Sequence, residues 1–223
     1  RQGITGMVGS HLADYLLENT DWIIHGMCRW RSPQDNVQHL TQRVNEQDKL
    51  FYIYGDLRDY ISLQHVVEQV KPDFVFHLAA QSYVGASIEQ PIATGEITGL
   101  GLTRGLDTMR MISPETRFYQ ASSSEMFGNE KSHIKNEKTQ FKPVSPYAIA
   151  KLYGYWTTRM YRDAYDIHTI NGILFNHESP LRGIEFLTRK VSNGVAKISL
   201  GLEKNLKLGN LSAKRDWGYA CLL

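Results

Sequence analysis

Four side chains that acid–base chemistry uses lie in two short segments. Tyr147 and Lys151 stand at i and i+4, so a helix there projects both from one face near its N-terminus. A neighbouring ammonium and the helix dipole both favour the phenolate, which suits Tyr147 to general acid–base work. The bland alternative is a packed Tyr beside a Lys that keeps its head in water. Ser122-Ser123-Ser124-Glu125 follows directly on a predicted strand. A parallel sheet puts strand ends and helix starts on one rim, so hydroxyl, carboxylate, phenol and ammonium can converge. Ser, Tyr and Lys together can remove a hydroxyl proton while a nicotinamide takes the hydride from the same carbon. Glu125 is one base more than that oxidation needs. Beside a newly formed carbonyl it can take the acidified α-proton and assist loss of a β-hydroxyl. Such a site dehydrates, unlike a plain reductase or epimerase.

A second signal lies at Gly3, Gly6 and Gly9, spaced G-x-x-G-x-x-G ahead of a helical pattern. Such a turn lets backbone approach a pyrophosphate and aims a helix N-terminus at its charge. Three glycines can also be only a turn. An NAD site places Asp or Glu at the end of the second strand, for the ribose hydroxyls. Here that strand ends Cys28-Arg29-Trp30-Arg31-Ser32. Two guanidiniums without a carboxylate suit a 2′-phosphate, so NADP is expected over NAD; the alternative is a solvated basic loop. Asp56 and Leu57 follow the third strand, within reach of an adenine. Leu78-Ala79-Ala80-Gln81-Ser82 leaves the fourth, where small residues admit a ligand or simply pack.

The elements that must position these groups alternate. Gly9 to Asn19 reads as a helix, with Leu12, Leu16 and Leu17 on one face. Residues 22 to 28, Leu50 to Tyr54, Phe74 to Leu78, Arg117 to Ala121 and Thr169 to Phe175 read as strands. Asp59 caps a helix carrying Leu63, Val66, Val67 and Val70, stopped at Lys71-Pro72. Thr98 to Met111 is helical, Ser145-Pro146 opens a helix of about twenty residues, and Phe186 to Leu200 closes the series. The apolar, non-alternating strands and the β/α order predict an α/β fold: a doubly wound parallel sheet covered on both faces. The polar stretch Gly128 to Gln140 stands outside it.

Lys+Arg 25 against Asp+Glu 23 leaves a net charge of +2 over 223 residues, which argues against a nucleic-acid polymer or a membrane surface as partner. No run of about 18 apolar residues would span a bilayer, and two cysteines are too few for a disulfide scaffold or a cysteine-rich zinc site. Reduced thiols in a cytoplasmic protein are expected, with no metal. At about 150 residues per domain the length gives roughly one and a half domains. The glycine turn at Arg1-Gln2-Gly3 lacks all but a stub of the strand expected before it, and Cys221-Leu222-Leu223 follows closely on a polar motif. A piece of a longer chain is expected, with a dinucleotide-binding domain over 1–175 and the start of a smaller substrate-binding portion over 176–223.

Gly3-Ile4-Thr5-Gly6, the run Tyr119 to Gly128, Ser145 to Lys151, Gly172 to Pro180 and Ala213 to Gly218 together resemble the GDP-mannose 4,6-dehydratase family, extended short-chain dehydrogenases/reductases with a Rossmann domain. The glycine turn and the Tyr147/Lys151 segment mark only the superfamily; Asn176 to Pro180 and Lys214-Arg215-Asp216-Trp217 are more specific. The resemblance implies a lyase that makes GDP-4-dehydro-6-deoxy-D-mannose, the precursor of GDP-fucose. Bound NADP takes the C4 hydride, water leaves across C5 and C6, and the hydride returns to C6. Ser123 takes the place of the family's catalytic Thr, Glu125 that of the C5 base, Tyr147 that of the C4-hydroxyl base, and Lys151 that of its partner on the nicotinamide ribose. His177 and Arg182 match positions near the cofactor. Asn176, Lys190 and Arg215, with Ser82 and Ser123, match positions at the GDP-sugar. Thr5, Ser32, Asp56, Leu57 and the Leu78 to Ser82 segment complete the cofactor set.

Departures from the family pattern bear on cofactor affinity more than on reaction type. Met7-Val8 replaces Gln-Asp, Trp30 interrupts the Arg-Arg pair, and Ala93 stands near a position that is often Tyr. A homodimer or homotetramer is implied, with Arg29 to Gln38 as a candidate interface loop. An NADP-dependent sugar-nucleotide epimerase or reductase is the alternative within the fold, and a non-catalytic NADP-binding subunit the alternative outside catalysis.

Overall fold

The computed structural model describes residues 3–46, 49–131 and 134–222. After a 3-10 turn at Gly3–Thr5 come α1 (Met7–Asn19), β1 (Ile24–Cys28), α2 (Gln38–Glu46), β2 (Leu50–Tyr54), α3 (Tyr60–Val70), β3 (Phe74–His77), α4 (Val84–Glu89) and α5 (Pro91–Thr94). A π-helical turn at Gly95–Leu100 joins α5 to α6 (Gly101–Ile112). There follow β4 (Arg117–Ser123), a 3-10 turn at Ser124–Phe127, α7 (Pro146–Tyr165) and β5 (Thr169–Leu174). Last come β6 (Asn176–Glu178), α8 (Leu187–Ser199) and β7 (Trp217–Tyr219). By compactness the chain divides after Leu174.

Local chemistry sets the boundaries as the residue types dictate. Asp59 accepts from the Ile61 and Ser62 amides at 3.1 and 3.4 Å, satisfying donors that the first turn of α3 leaves free. Lys71 closes that helix in the left-handed region, at φ 44°. Ser145 Oγ accepts from the Ala148 amide at 3.1 Å, and Pro146 takes the first helical position of α7. Thr98 to Met111 proves to be the later part of a longer helical run that begins at Pro91.

All strand pairings are parallel, as the β/α order requires. In the first unit β1 pairs with β2, and β3-β4-β5 form a second sheet. The expected single sheet is therefore in two parts among the described residues, with a cavity of about 880 Å³ lined by residues of both β1 and β3. The strand expected ahead of the glycine turn falls on Arg1 and Gln2, outside the described residues. One cluster of buried side chains gathers Ile4, Leu17, Val37, Leu40 and Leu50 beneath β1 and β2; another gathers Val67, Leu102, Leu106, Phe118 and Ile167 around β4. At roughly 1.5–3 kcal/mol per fully buried aliphatic side chain, these clusters hold the helices against the strands.

In the second unit β6 pairs with β7 in the register Asn176↔Trp217, His177↔Gly218 and Glu178↔Tyr219. Only Gly183 and Gly194 are buried among its described residues. Cys28 is buried and Cys221 exposed, and the two form no disulfide. Among the described residues no helix is long and apolar enough to cross a membrane, and no group of three or more His, Cys, Asp or Glu side chains is placed to hold a metal.

Candidate active site

The end of β4 sorts Ser122 from Ser123. Side chains alternate along a strand, and Ser122 turns its hydroxyl to Asn171 Oδ1 at 2.8 Å, where it is consumed. Ser123, next in line and only 8% exposed, caps the 3-10 turn instead: its Oγ accepts from the Glu125 amide at 3.2 Å. That turn carries Glu125 half-buried beyond the strand end and packs on α7. It closes at Gly128, φ 49°, where a Cβ would meet the Lys142 carbonyl oxygen at 1.8 Å; glycine is required there.

Tyr147 and Lys151 occupy the first turns of α7, both buried. Lys151 Nζ donates to the Ala121 carbonyl on β4 at 2.6 Å and lies 5.9 Å from the centre of the Tyr147 ring. Burial holds its ammonium down from 10.5 to about 8, since desolvation penalises the charged form. The structure thus gathers Ser123, Glu125, Tyr147 and Lys151 where β4 meets α7. The anchor of Lys151 is a backbone oxygen, so no residue type marked it in advance.

The glycine turn is built for close approach. Gly3 has φ 63°, and a Cβ on Gly9 would meet the Gly3 carbonyl oxygen at 2.3 Å. Gly6 caps α1 without a side-chain hydrogen bond, leaving the first amides of the helix available to an anion. Asn36 braces the turn, its Nδ2 donating to the Thr5 carbonyl at 3.4 Å and its own carbonyl accepting from Ser10 Oγ at 2.6 Å. Nothing in the residue pattern pointed to Asn36.

After β1, the Arg29 amide donates to Ser32 Oγ at 3.1 Å and the Ser32 amide to the Arg29 carbonyl at 3.0 Å, so the basic segment folds into a tight turn. Arg29 Nε is buried without a partner among the described residues, as a cation awaiting an acceptor would be. Arg31 is exposed. Asp56 is held by Arg58, with Nη2 to Oδ2 at 2.8 Å, and that guanidinium keeps its carboxyl below the usual range. Leu57 is buried. Along the segment leaving β3, Leu78 is half-buried, Ala79 and Ala80 are buried, and Ser82 is exposed. Gln81 is spent on bracing this loop: its Nε2 donates to Tyr83 O at 3.1 Å and Thr94 Oγ1 at 3.2 Å, and its Oε1 accepts from the Tyr83 amide at 2.8 Å.

The remaining candidates lie in the second unit. Pairing of β6 with β7 brings the Asn176 to Pro180 motif against the segment that follows Arg215. His177 donates from Nδ1 to the Phe175 carbonyl at 2.7 Å, and burial lowers its pKa. Arg182 Nε lies 3.2 Å from Glu178 Oε2, and its guanidinium stacks 3.6 Å from the centre of the Phe186 ring. Glu178 also accepts from Thr188 Oγ1. Lys190 is exposed on α8, and exposed Arg215 donates to the neighbouring Lys214 carbonyl at 2.8 Å.

A GDP-mannose 4,6 dehydratase family profile matches residues 2–221. The GDP-mannose 4,6-dehydratase of Sinorhizobium fredii is 47% identical over 98% of the chain, and that of Drosophila melanogaster 44% over 98%. The chain spans 63% and 56% of their respective lengths. Among solved structures, a double mutant of the dTDP-glucose 4,6-dehydratase DesIV from Streptomyces venezuelae, with NAD and DAU bound, superposes with TM-score 0.84 at 23% identity, covering 98% of the chain and 68% of DesIV. The UDP-glucose 4-epimerase of Thermotoga maritima gives 0.82 at 20%, covering 97% and 67%. These two show the fold, a parallel Rossmann sheet, while the family profile and the sequence relatives reach further. The chain belongs to the GDP-mannose 4,6-dehydratase family.

Proposed function

We propose that the protein of which this chain forms part dehydrates GDP-mannose to GDP-4-dehydro-6-deoxy-D-mannose, with NADP as resident cofactor. The observation that carries the reading is Glu125, set beside Ser123, Tyr147 and Lys151 at one rim. Ser123, Tyr147 and Lys151 suffice for oxidation at C4; the Glu125 carboxylate supplies the base that elimination requires.

The residues present fit the dinucleotide. The glycine turn leaves no room for a Cβ at Gly9, the first amides of α1 face no side-chain cap, and the orphaned Arg29 Nε supplies a cation. Absence of a carboxylate at the end of β1, with Arg29 and Arg31 following, supports NADP over NAD. Thr5, Ser32, Leu57 and the Leu78 to Ser82 segment complete this cradle, and His177 and Arg182 belong to the nicotinamide and phosphate side. A nicotinamide bound there would supply a reversible hydride acceptor.

The chain's own groups do the rest. Ser123 Oγ holds the C4 oxygen while Tyr147 takes its proton, and the Lys151 ammonium favours the phenolate. With C4 a carbonyl, the C5 proton is acidic and Glu125 removes it. The C6 hydroxyl then departs with a proton as water. With C6 reduced and C5 reprotonated, the product would differ from the substrate by one water, with no net oxidation or reduction. Asn176, Lys190 and Arg215, with Ser82, hold the nucleotide sugar, Arg215 through its diphosphate. A homo-oligomer is supported by α7, which exposes Ile149, Tyr153, Trp156 and Met160 along one stripe.

Mass spectrometry of GDP-mannose incubated with the protein tests the reading. Loss of one water without added NADPH is expected. An unchanged mass with altered stereochemistry would transfer the assignment to an epimerase.

A further inference from the structure

β3 and β4 each carry a buried polar side chain that the mechanism above leaves unused, and the sheet register sets the two opposite one another: His77↔Gln120. His77 Nδ1 lies 2.7 Å from Gln120 Oε1. An amide oxygen can only accept, so the proton sits on Nδ1, and Nε2 is a bare lone pair with no partner among the described residues. Gln120 passes the polarity on: its Nε2 donates to the Ala121 carbonyl at 3.1 Å. That oxygen also receives the Lys151 ammonium at 2.6 Å. Across from it, α7 carries Gly154, where a Cβ would come within 2.8 Å of Leu102 and 3.7 Å of the Gln120 amide nitrogen.

We propose that His77 and Gln120 are positioning residues, which fix the Ala121 carbonyl and through it the place of the Lys151 ammonium. The inference rests on the role given to Lys151 above. A buried primary amide has two orientations. One turns its N–H to the Ala121 oxygen; the other sets oxygen against oxygen and disturbs the carbonyl that holds Lys151. The Nδ1–H of His77 selects the first, because it needs the amide oxygen on its own side. The ring is neutral, held by burial and by the nearby Lys151 charge at a pKa of about 4, so it brings no second cation to the pocket. Its stacking on Phe118, with centroids 5.7 Å apart, keeps the ring plane in place. The bare Nε2 costs stability, and a purely apolar residue would avoid that cost.

Three variants separate positioning from packing. His77→Phe keeps a ring against Phe118 and loses the donor. Gln120→Met keeps the length and loses both polar atoms. His77→Asn retains an N–H on Cγ that can reach the same acceptor. NADP affinity is read by tryptophan fluorescence, turnover by steady-state kinetics, and the His77 tautomer by ¹⁵N NMR of the unsubstituted chain. His77→Phe and Gln120→Met are expected to lower NADP affinity and kcat on the order of tenfold with KM for GDP-mannose unchanged. His77→Asn should restore most of the loss. A protonated Nε2 in the NMR spectrum, wild-type affinity in folded His77→Phe, or a His77→Asn variant as impaired as His77→Phe would overturn the proposal. Failure of the protein to dehydrate GDP-mannose would count against the function alone, because the tautomer and the cofactor titration are read without that substrate.

Discussion

The two units hold their candidate groups by opposite means. Where β4 meets α7, Lys151 is 3% exposed, Tyr147 and Ser123 are each 8% exposed, and each element is capped or pinned by a hydrogen bond that the sequence encodes. In the unit from Phe175 onward, Lys190 and Arg215 stand in water. Burial turns a common residue into a reagent, because desolvation shifts its proton affinity and its neighbours fix its aim. An exposed cation gains little from any one partner. Acid–base chemistry is therefore proposed for the first unit, and recognition of the sugar nucleotide's charge for Lys190 and Arg215 of the second.

The largest effects should come from the buried side. Tyr147→Phe removes the proton acceptor proposed for C4 and is expected to lower kcat by about 10²–10⁴-fold with little change in KM; a loss under tenfold would break the contrast. Arg29→Ala comes next. Because Arg29 Nε is already desolvated and unpaired, its loss should weaken NADP binding by roughly 10–100-fold and leave NAD binding nearly unchanged, as read by calorimetric titration. Equal losses for the two dinucleotides would remove the 2′-phosphate from its role.

Arg215→Ala sharpens the other side of the comparison. An exposed guanidinium that meets a diphosphate in water should change KM for GDP-mannose by up to about tenfold, with kcat unchanged and the effect fading as salt is raised. A separate effect concerns stability rather than turnover. Lys151 binds its proton less tightly folded, at about 8, than unfolded, at 10.5. The unfolded state therefore binds more protons between those values, and stability rises with pH across that window. The difference between the native chain and Lys151→Met, followed by thermal unfolding from pH 7.5 to 10.5, should change by about 3 kcal/mol in that direction. A flat difference would mean that Lys151 is not desolvated.

Legibility in the sequence depended on whether residue type alone, or the fold, made the contact. Asp59, Ser145 and Pro146 fixed helix starts because capping depends on residue type alone, and the i, i+4 pair of Tyr147 and Lys151 needed only helical geometry. The three-residue strands β6 and β7 are too short to show any periodicity, and α2 offers only Leu40 and Val44 as apolar positions. Helical structure over Pro91–Leu100 was hidden by Gly95 and Gly99, which dilute the apolar pattern; only the part from Thr98 was visible. Bonds to backbone oxygens left no mark at all, which is why the Ala121 anchor of Lys151 and the Asn36 brace emerged only from the fold. Nor could the pattern tell that Asp56 would be engaged by Arg58.

Glu125 carries the central claim, because oxidation and elimination part company there. In Glu125→Gln the C4 proton and hydride can still leave, while the C5 proton has no base. Mixing that variant with NADP and GDP-mannose, and following reduced-nicotinamide absorbance together with product mass, reads both steps at once. Accumulation of reduced cofactor without loss of water is the result predicted; loss of water at the native rate would contradict it.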